Sequence, residues 1–202
     1  MWSDALQRTL LKRKNELKRL FDLGVAVIGL IICIPIIAVL GVLIRWESQG
    51  PAIFSQVRVG RNGRVFRCYK LRTMVENAPN VPTHHANHIH VTRLGSMLRR
   101  SKLDELPQLW NIIRGEMSFV GPRPCLPSQK ELIIERQRRG VLSLLPGITG
   151  LSQVNGIDMS DPVLLAETDA KYLSQASFLG DLRIILQTVF LRKGSGDRVR
   201  NI

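Results

Sequence analysis

Residues 21–44 read FDLGVAVIGLIICIPIIAVLGVLI, with Asp22 as the one charge. A run this long and apolar meets the length and composition of a membrane helix. At 1.5 Å per residue it reaches about 36 Å, enough to cross a hydrocarbon core of about 30 Å. Two features disfavour crossing. Pro35 sits just past the middle, where it removes a helix hydrogen bond and kinks the chain. Basic residues also crowd both flanks: residues 1–20 carry six basic and two acidic side chains, and residues 45–72 carry seven and one. The positive-inside rule prefers both flanks in the cytoplasm. A helix bent at Pro35 that enters and leaves by one face satisfies both features, each limb reaching roughly one leaflet. A kinked spanning helix is the other solution. A secretory signal is not expected, because the run is long, begins late and lacks a small-residue cleavage site before Arg45.

The flanks have their own patterns. Leu6, Leu10, Leu17 and Leu20 share one helix face among Arg and Lys, as in an interfacial helix or an ordinary solvated one. Residues 52–59 and 65–71 are strand-like, joined by Gly60-Arg61-Asn62-Gly63, which favours a hairpin. The hairpin bears Arg58, Arg61, Arg64, Arg67, Lys70 and Arg72. Lys70 and Arg72 close it within an alternating pattern and are candidate phosphate ligands, the rest a basic face for anionic lipid. Residues 75–92 read as a loop with His84, His85, His88 and His90, in which no Cys or acid completes a metal set.

Residues 101–124, SKLDELPQLWNIIRGEMSFVGPRP, concentrate the chemistry. Pro107 fits the first turn of a helix, Leu106, Leu109, Trp110 and Ile113 follow at helical spacing, and Gly115 is a stop. Asp104 then falls at or near the N-cap, where free N–H groups and the helix dipole favour the ionised carboxylate that a nucleophile requires. Asp104 as a mere cap and Glu105 as a first-turn acid is the plainer reading of this pair. Against it stands Arg123, held between Pro122 and Pro124, whose rings restrict the backbone and aim the guanidinium at an anion. Residues 144–156, LLPGITGLSQVNG, form a second rigid loop whose N–H groups suit an anion nest. It matches neither a Walker loop nor a dinucleotide turn. Helices are predicted over 92–103, 129–139 and 161–174. A last helix over 181–192 places Leu182, Ile185, Leu186, Val189 and Phe190 on one stripe, for the core or, preferably, the membrane.

The 202 residues carry a net charge of +13, which asks for a polyanionic partner. Aromatics make up 5% and do not interleave with the basic residues, so no nucleic-acid partner is expected. Cys33, Cys68 and Cys125 lie far apart and read as reduced, unpaired thiols. A membrane-seated basic domain with one acidic pair and several phosphate ligands suits phosphoryl transfer at a bilayer surface, with a carboxylate nucleophile forming an acyl phosphate.

From Lys18 onward the chain resembles the bacterial sugar transferases, the small monotopic phosphoglycosyl transferases. The matching stretches are KRLFD, GPAIFSQVRVGRNGRVFRCYKLRTM, TRLGSMLRRSKLDELPQLWNIIRGEMSFVGPRP and PGITGLSQVNG. The resemblance implies an α+β, predominantly helical fold. It has a re-entrant membrane helix broken at Pro35, a short basic hairpin and amphipathic helices at the membrane surface. It divides the chain into a basic N-terminal segment (1–20), the re-entrant helix (21–45) and a catalytic domain on the cytoplasmic face of the inner membrane (46–202). It lacks the extra N-terminal membrane helices of larger relatives. By resemblance, Asp104 attacks the β-phosphate of a UDP-sugar, UMP leaves, and undecaprenyl phosphate takes the sugar phosphate from Asp104. Glu105 completes the pair as acid/base or orienter, and Mg²⁺ is expected at Asp104. Lys70, Arg72 and Arg123 contact phosphate. The loops bearing Pro122, Pro124, Gly147, Thr149 and Gln153 border the pocket. The family leans towards an N-acetylated amino sugar and a role in starting glycan assembly. Ile34 stands before Pro35 where the family often has Ser, and Cys125 and the His-rich loop are not general features.

Two other functions fit parts of the sequence. A membrane-anchored basic adaptor for anionic lipid or nucleic acid explains the charge but not the acidic pair beside Arg123. A two-carboxylate glycoside hydrolase fits poorly, because adjacent acids on a helix point about 100° apart.

Overall fold

The computed structural model describes residues 2–76 and 90–190, with side chains from Glu16 onward. The first two segments expected from the sequence form one element, α1 (Trp2–Glu47), and the helix continues through Pro35 instead of breaking there. Its stretch Glu16–Glu47 is long and apolar enough to cross a membrane by length and composition. One face of it is nonetheless packed along the rest of the protein. Ala26, Leu30 and Cys33 meet Leu109, Ile112 and Met117, while Ile37, Leu40 and Ile44 meet Leu71 and Leu98. The spacing of three and four residues is that of one helical stripe. Val25, Ile28, Ile31, Ile32, Ile36, Val39 and Leu43 remain exposed on the helix.

Both ends of the apolar run are tied down by charge. At the first end, Lys18 forms an ion pair with Asp181 and donates to the Val120 carbonyl at 3.2 Å. Arg19 donates to the Ile112 and Ile113 carbonyls at 2.7 and 3.1 Å. Buried Asp22 accepts the Ser118 hydroxyl at 2.7 Å. At the second end, Arg72 donates to the carbonyls of Ser48 (2.7 Å) and Gln49 (2.5 Å), just past the end of α1, and to the Ile44 carbonyl of its last turn at 3.4 Å, placing a cation at the helix C-terminus.

The hairpin forms as its alternation and Asn-Gly turn predict. Strands β1 (Ile53–Val59) and β2 (Val65–Leu71) pair antiparallel from Ile53↔Leu71 to Val59↔Val65. Asn62 and Gly63 supply the two positive φ angles of the turn. Helix α2 (Arg93–Ser101) starts at Thr92, whose hydroxyl caps Gly95 N–H. Next come α3 (Gln108–Ile113), stopped at Gly115 (φ +78°), and β3 (Ser118–Val120). Then follow α4 (Lys130–Arg138), β4 (Gly147–Thr149), α5 (Leu151–Val154), α6 (Pro162–Gln175) and α7 (Phe178–Phe190). Asp161 caps α6, with Pro162 in its first turn. The protein is thus mainly helical with the expected hairpin, and it has a second small sheet besides.

Two local features differ from expectation. The 144–156 loop is not an open nest: its centre is β4, which pairs in parallel with β3 (Ser118↔Gly147, Val120↔Thr149). The Gly147 N–H is taken by the Pro122 carbonyl at 3.0 Å. The chains cross closely enough that a Cβ on Gly147 would lie 2.2 Å from the Gly121 nitrogen, so both positions require glycine. Helix α7 begins three residues earlier than predicted. Ile184 and Asp181 are buried, but Leu179, Leu182, Leu186, Val189 and Phe190 are exposed, so most of the apolar stripe is not in the core. Phe178 meets Phe21 of α1 edge to face, ring centres 5.1 Å apart. The histidines at 84, 85 and 88, and the leucine face before Glu16, lie outside the described residues.

Candidate active site

Asp104 and Glu105 do not start a helix. They lie in a 3₁₀ turn, Leu103–Glu105, between α2 and α3, and Pro107 occupies the N-cap of α3. The cap reading of Asp104 therefore fails. With six residues, α3 offers no dipole comparable to that of a long helix. The turn exists because Lys102 adopts a left-handed conformation (φ 59°), which ends α2 and reverses the chain. Leu98, Leu103 and Leu71 close beneath it. The result is two adjacent carboxylate side chains withdrawn from solvent, Asp104 5% and Glu105 9% exposed. Unpaired carboxylates would be costly here.

Two cations from distant parts of the chain converge on Glu105. Lys70 Nζ, near the end of β2, lies 2.8 Å from Glu105 Oε1. Arg123 Nη1 and Nη2 lie 3.4 and 3.5 Å from the same oxygen. Glu105 is thus held by an ammonium and a guanidinium next to the Asp104 backbone. Such a cluster of cations offers anionic oxygens a place to bind in a poorly hydrated setting.

Arg123 is placed by its main chain. The carbonyl of Pro122 accepts Gly147 N–H, that of Arg123 accepts Arg136 Nη1 at 2.8 Å, and that of Pro124 accepts Arg58 Nη1 at 3.0 Å. The next carbonyl, of Cys125, accepts Val59 N–H at 2.9 Å. Four consecutive carbonyls are therefore occupied, and the two prolines fix φ between them. Arg58, read from the sequence as a surface cation, works on this loop instead. A cleft of about 400 Å³ opens beside it, lined by Ser55, Gln56, Val57, Arg67 and Leu126 to Ser128.

The remaining sequence candidates are distributed differently. Arg72 is not gathered with Lys70 and Arg123: its guanidinium is buried at the end of α1 and bonded to Ser48 and Gln49. Thr149 and Gln153 are buried, and they serve the framework. The Thr149 hydroxyl lies 2.6 Å from that of Thr188 in α7, and Gln153 Nε2 donates to the Ile148 carbonyl at 3.0 Å. Pro35 lies in α1, away from this turn in sequence and built into the helix. Burial pushes the Cys68 and Cys125 thiols up, so neither is a ready thiolate nucleophile. Sequence reasoning missed Arg136 altogether, because a basic residue in a polar helix carries no sign of burial.

Among the described residues, no group of three His, Cys, Asp or Glu side chains could hold a metal ion. Mg²⁺ needs no such group, since it keeps several waters and binds through one or two carboxylates plus substrate phosphates. Asp104, adjacent to Glu105 and withdrawn from solvent, is the carboxylate that would hold such an ion.

Known proteins resemble this chain over most of its length. A family model described as bacterial sugar transferase matches residues 13–193. The galactosyl transferase CpsE of Streptococcus agalactiae is 39% identical over 186 residues, covering 85% of this chain and 41% of that protein. The exopolysaccharide production protein ExoY of Sinorhizobium fredii is 36% identical over 189 residues, covering 85% and 83%. A UDP-glucose:undecaprenyl-phosphate glucose-1-phosphate transferase of Klebsiella pneumoniae is 39% identical over 187 residues, covering 86% and 39%. The chain thus spans about two-fifths of the length of some curated relatives and most of others. The match over nearly the whole described structure, acidic turn and both pinned loops included, shows that this chain belongs to the bacterial sugar transferase family.

Proposed function

We propose that this protein transfers a sugar-1-phosphate from a UDP-sugar to undecaprenyl phosphate and so begins the assembly of a glycan. The observation that carries the proposal is the buried Asp104–Glu105 turn, with Lys70 and Arg123 both on Glu105. The Klebsiella relative's name supports the donor and acceptor classes.

The steps follow from the groups present. The donor's diphosphate enters between Lys70 and Arg123, which exchange part of their contact with Glu105 for phosphate oxygens. An Asp104 carboxylate oxygen attacks the β-phosphorus as the bond to the bridging oxygen breaks. UMP departs with that oxygen and its electron pair. A sugar phosphate is then held as an acyl phosphate on Asp104. A phosphate oxygen of undecaprenyl phosphate attacks the same phosphorus, the acyl-phosphate bond breaks, and the Asp104 carboxylate is restored. Glu105 orients the two cations and keeps their charge balanced between substrates. Mg²⁺ bound through Asp104 and the donor would neutralise charge on the phosphates.

The lipid acceptor requires a membrane seat. The stripe of α1 from Ala26 to Ile44 packs against the lobe, and both ends of the apolar run are tied to it by charge. This supports a monotopic protein on the cytoplasmic face of the inner membrane, α1 lying with its exposed valines and isoleucines in one leaflet. The exposed stripe of α7 suits the same surface. Cysteines placed at Glu16 and Gln49 should both resist a membrane-impermeant maleimide in intact cells. Labelling of either would make α1 a span.

The central test is UMP release measured across a panel of UDP-sugars, with and without undecaprenyl phosphate. Asp104→Asn should reduce turnover by about 10³-fold or more and abolish the covalent sugar phosphate. Failure of every UDP-sugar with wild-type protein in a lipid bilayer would sink the proposal.

A further inference from the structure

The packing of α4 on α6 is built around one ion pair. Arg136 in α4 donates to Asp169 Oδ2 in α6 through Nε at 2.9 Å and Nη2 at 2.7 Å. Both side chains are 3% exposed. The other oxygen of Asp169 accepts the Ser152 hydroxyl at 2.6 Å, in the short α5 that directly follows β4. The remaining arm of the guanidinium, Nη1, reaches the carbonyl of Arg123 at 2.8 Å.

A buried ion pair contributes little net stability compared with apolar residues of the same volume, so geometry is what it supplies. The planar fork of an arginine can hold a carboxylate with two donors and present a third in a fixed direction. Here that third donor meets the main chain of the one residue between Pro122 and Pro124. Of the four occupied carbonyls in this loop, those of Arg123 and Pro124 accept from charged groups; Arg58 is held by neutral Gln56, whereas Arg136 is held by a buried carboxylate. Ser152 joins the same network to the segment that pairs with β3. The two pocket loops are therefore tied to one buried centre.

We propose that Arg136, clamped by Asp169, which Ser152 holds in turn, is a positioning residue that sets where the Arg123 guanidinium stands relative to Glu105. Its kinetic consequence rests on the phosphoryl transfer proposed above, whereas its effect on the loop does not.

The test uses the full chain in lipid nanodiscs. Arg136→Lys keeps a cation for Asp169 but replaces the fork with a single ammonium. Amide hydrogen exchange over 121–126 should quicken by about tenfold, with exchange in β1 and β2 unchanged. UMP release, as kcat/KM, should fall by about tenfold in the wild-type background. In an Arg123→Ala background the same substitution should cost less than about twofold, because the two residues act as one unit. Unchanged exchange over 121–126, or an equal loss in both backgrounds, would overturn the proposal. If Arg136→Lys does not fold, Ser152→Ala leaves the ion pair in place and carries the same two tests, with an expected loss of about threefold. Wild-type protein that releases no UMP would remove the transferase reading, while the exchange experiment would still decide the clamp.

Discussion

Arg72 and Arg123 carry the same charge, flank the same hairpin-and-turn region and were equal candidates for binding phosphate. The structure separates them. The Arg72 guanidinium is bonded to neutral acceptors: the Ser48 and Gln49 carbonyls and the Ser48 hydroxyl, at 2.5–2.9 Å. Arg123 meets an anion, Glu105, at 3.4–3.5 Å. An arginine at short range to several main-chain carbonyls closes a helix end and has little to offer a substrate. An arginine at longer range to a carboxylate can exchange that partner for a phosphate. What an arginine does is set by its acceptors, and these come from parts of the chain distant in sequence.

That contrast yields opposite mutational signatures. Arg123→Ala should lower kcat/KM for UMP release by about 10²-fold, as for other lost donors to a charged transition state. Its unfolding midpoint should stay within about 2 °C of wild type. Arg72→Ala should do the reverse. It removes bonds to the Ser48 and Gln49 carbonyls and a cation from a helix C-terminus, a cost of about 2 kcal/mol in unfolding free energy. Activity per folded molecule should remain within about threefold. Thermal unfolding in nanodiscs, run beside the UMP assay, separates the outcomes. If Arg72→Ala silenced turnover at unchanged stability, the distinction would collapse and Arg72 would return to the site.

A subtler substitution addresses the cation that shares Glu105 with Arg123. Lys70→Arg retains charge but spreads it over a plane. It should cost about threefold to tenfold in kcat/KM and little stability, since Lys70 Nζ is a single short contact in a confined position. A loss as large as that of Arg123→Ala would mean that Lys70 is the principal phosphate ligand of the two.

The parts that were legible in the sequence are those with local causes. The hairpin declared itself through alternation and Asn62-Gly63, and α6 through Asp161-Pro162. The adjacency of the two acids and the proline-flanked arginine were also visible. The parts that were not legible depend on contacts across the fold. Strands β3 and β4 are three residues each, too short for a period, and pair only because Gly121 and Gly147 let the chains touch. The cap assigned to Asp104 was wrong because Lys102 turns left-handed, a conformation its residue type does not advertise. The cap made by Arg72 acts on a helix that ends 25 residues earlier in the chain. Arg136 looked like any solvated cation until Asp169 arrived from α6. Pro35 predicts a break by its chemistry, yet the helix continues through it.

The smallest predicted effect concerns the back of the Arg123 loop. Cys125 is fully buried with Val59, Leu132, Leu165 and Ala166, and its carbonyl is the last of the four that are held. Its thiol, kept protonated by burial, behaves there as a small apolar group. Cys125→Ser changes the volume little but places a hydroxyl in apolar surroundings, a cost of about 1 kcal/mol in unfolding free energy. Because the loop is held by its carbonyls and not by this side chain, kcat/KM should change by less than about twofold, and the order of preference among UDP-sugars should be unchanged. A reordered preference would show that the loop's packing, and not only its main-chain bonds, shapes the site. Arg123 would then differ from Arg72 in a further respect, as a residue whose position depends on what lies behind it.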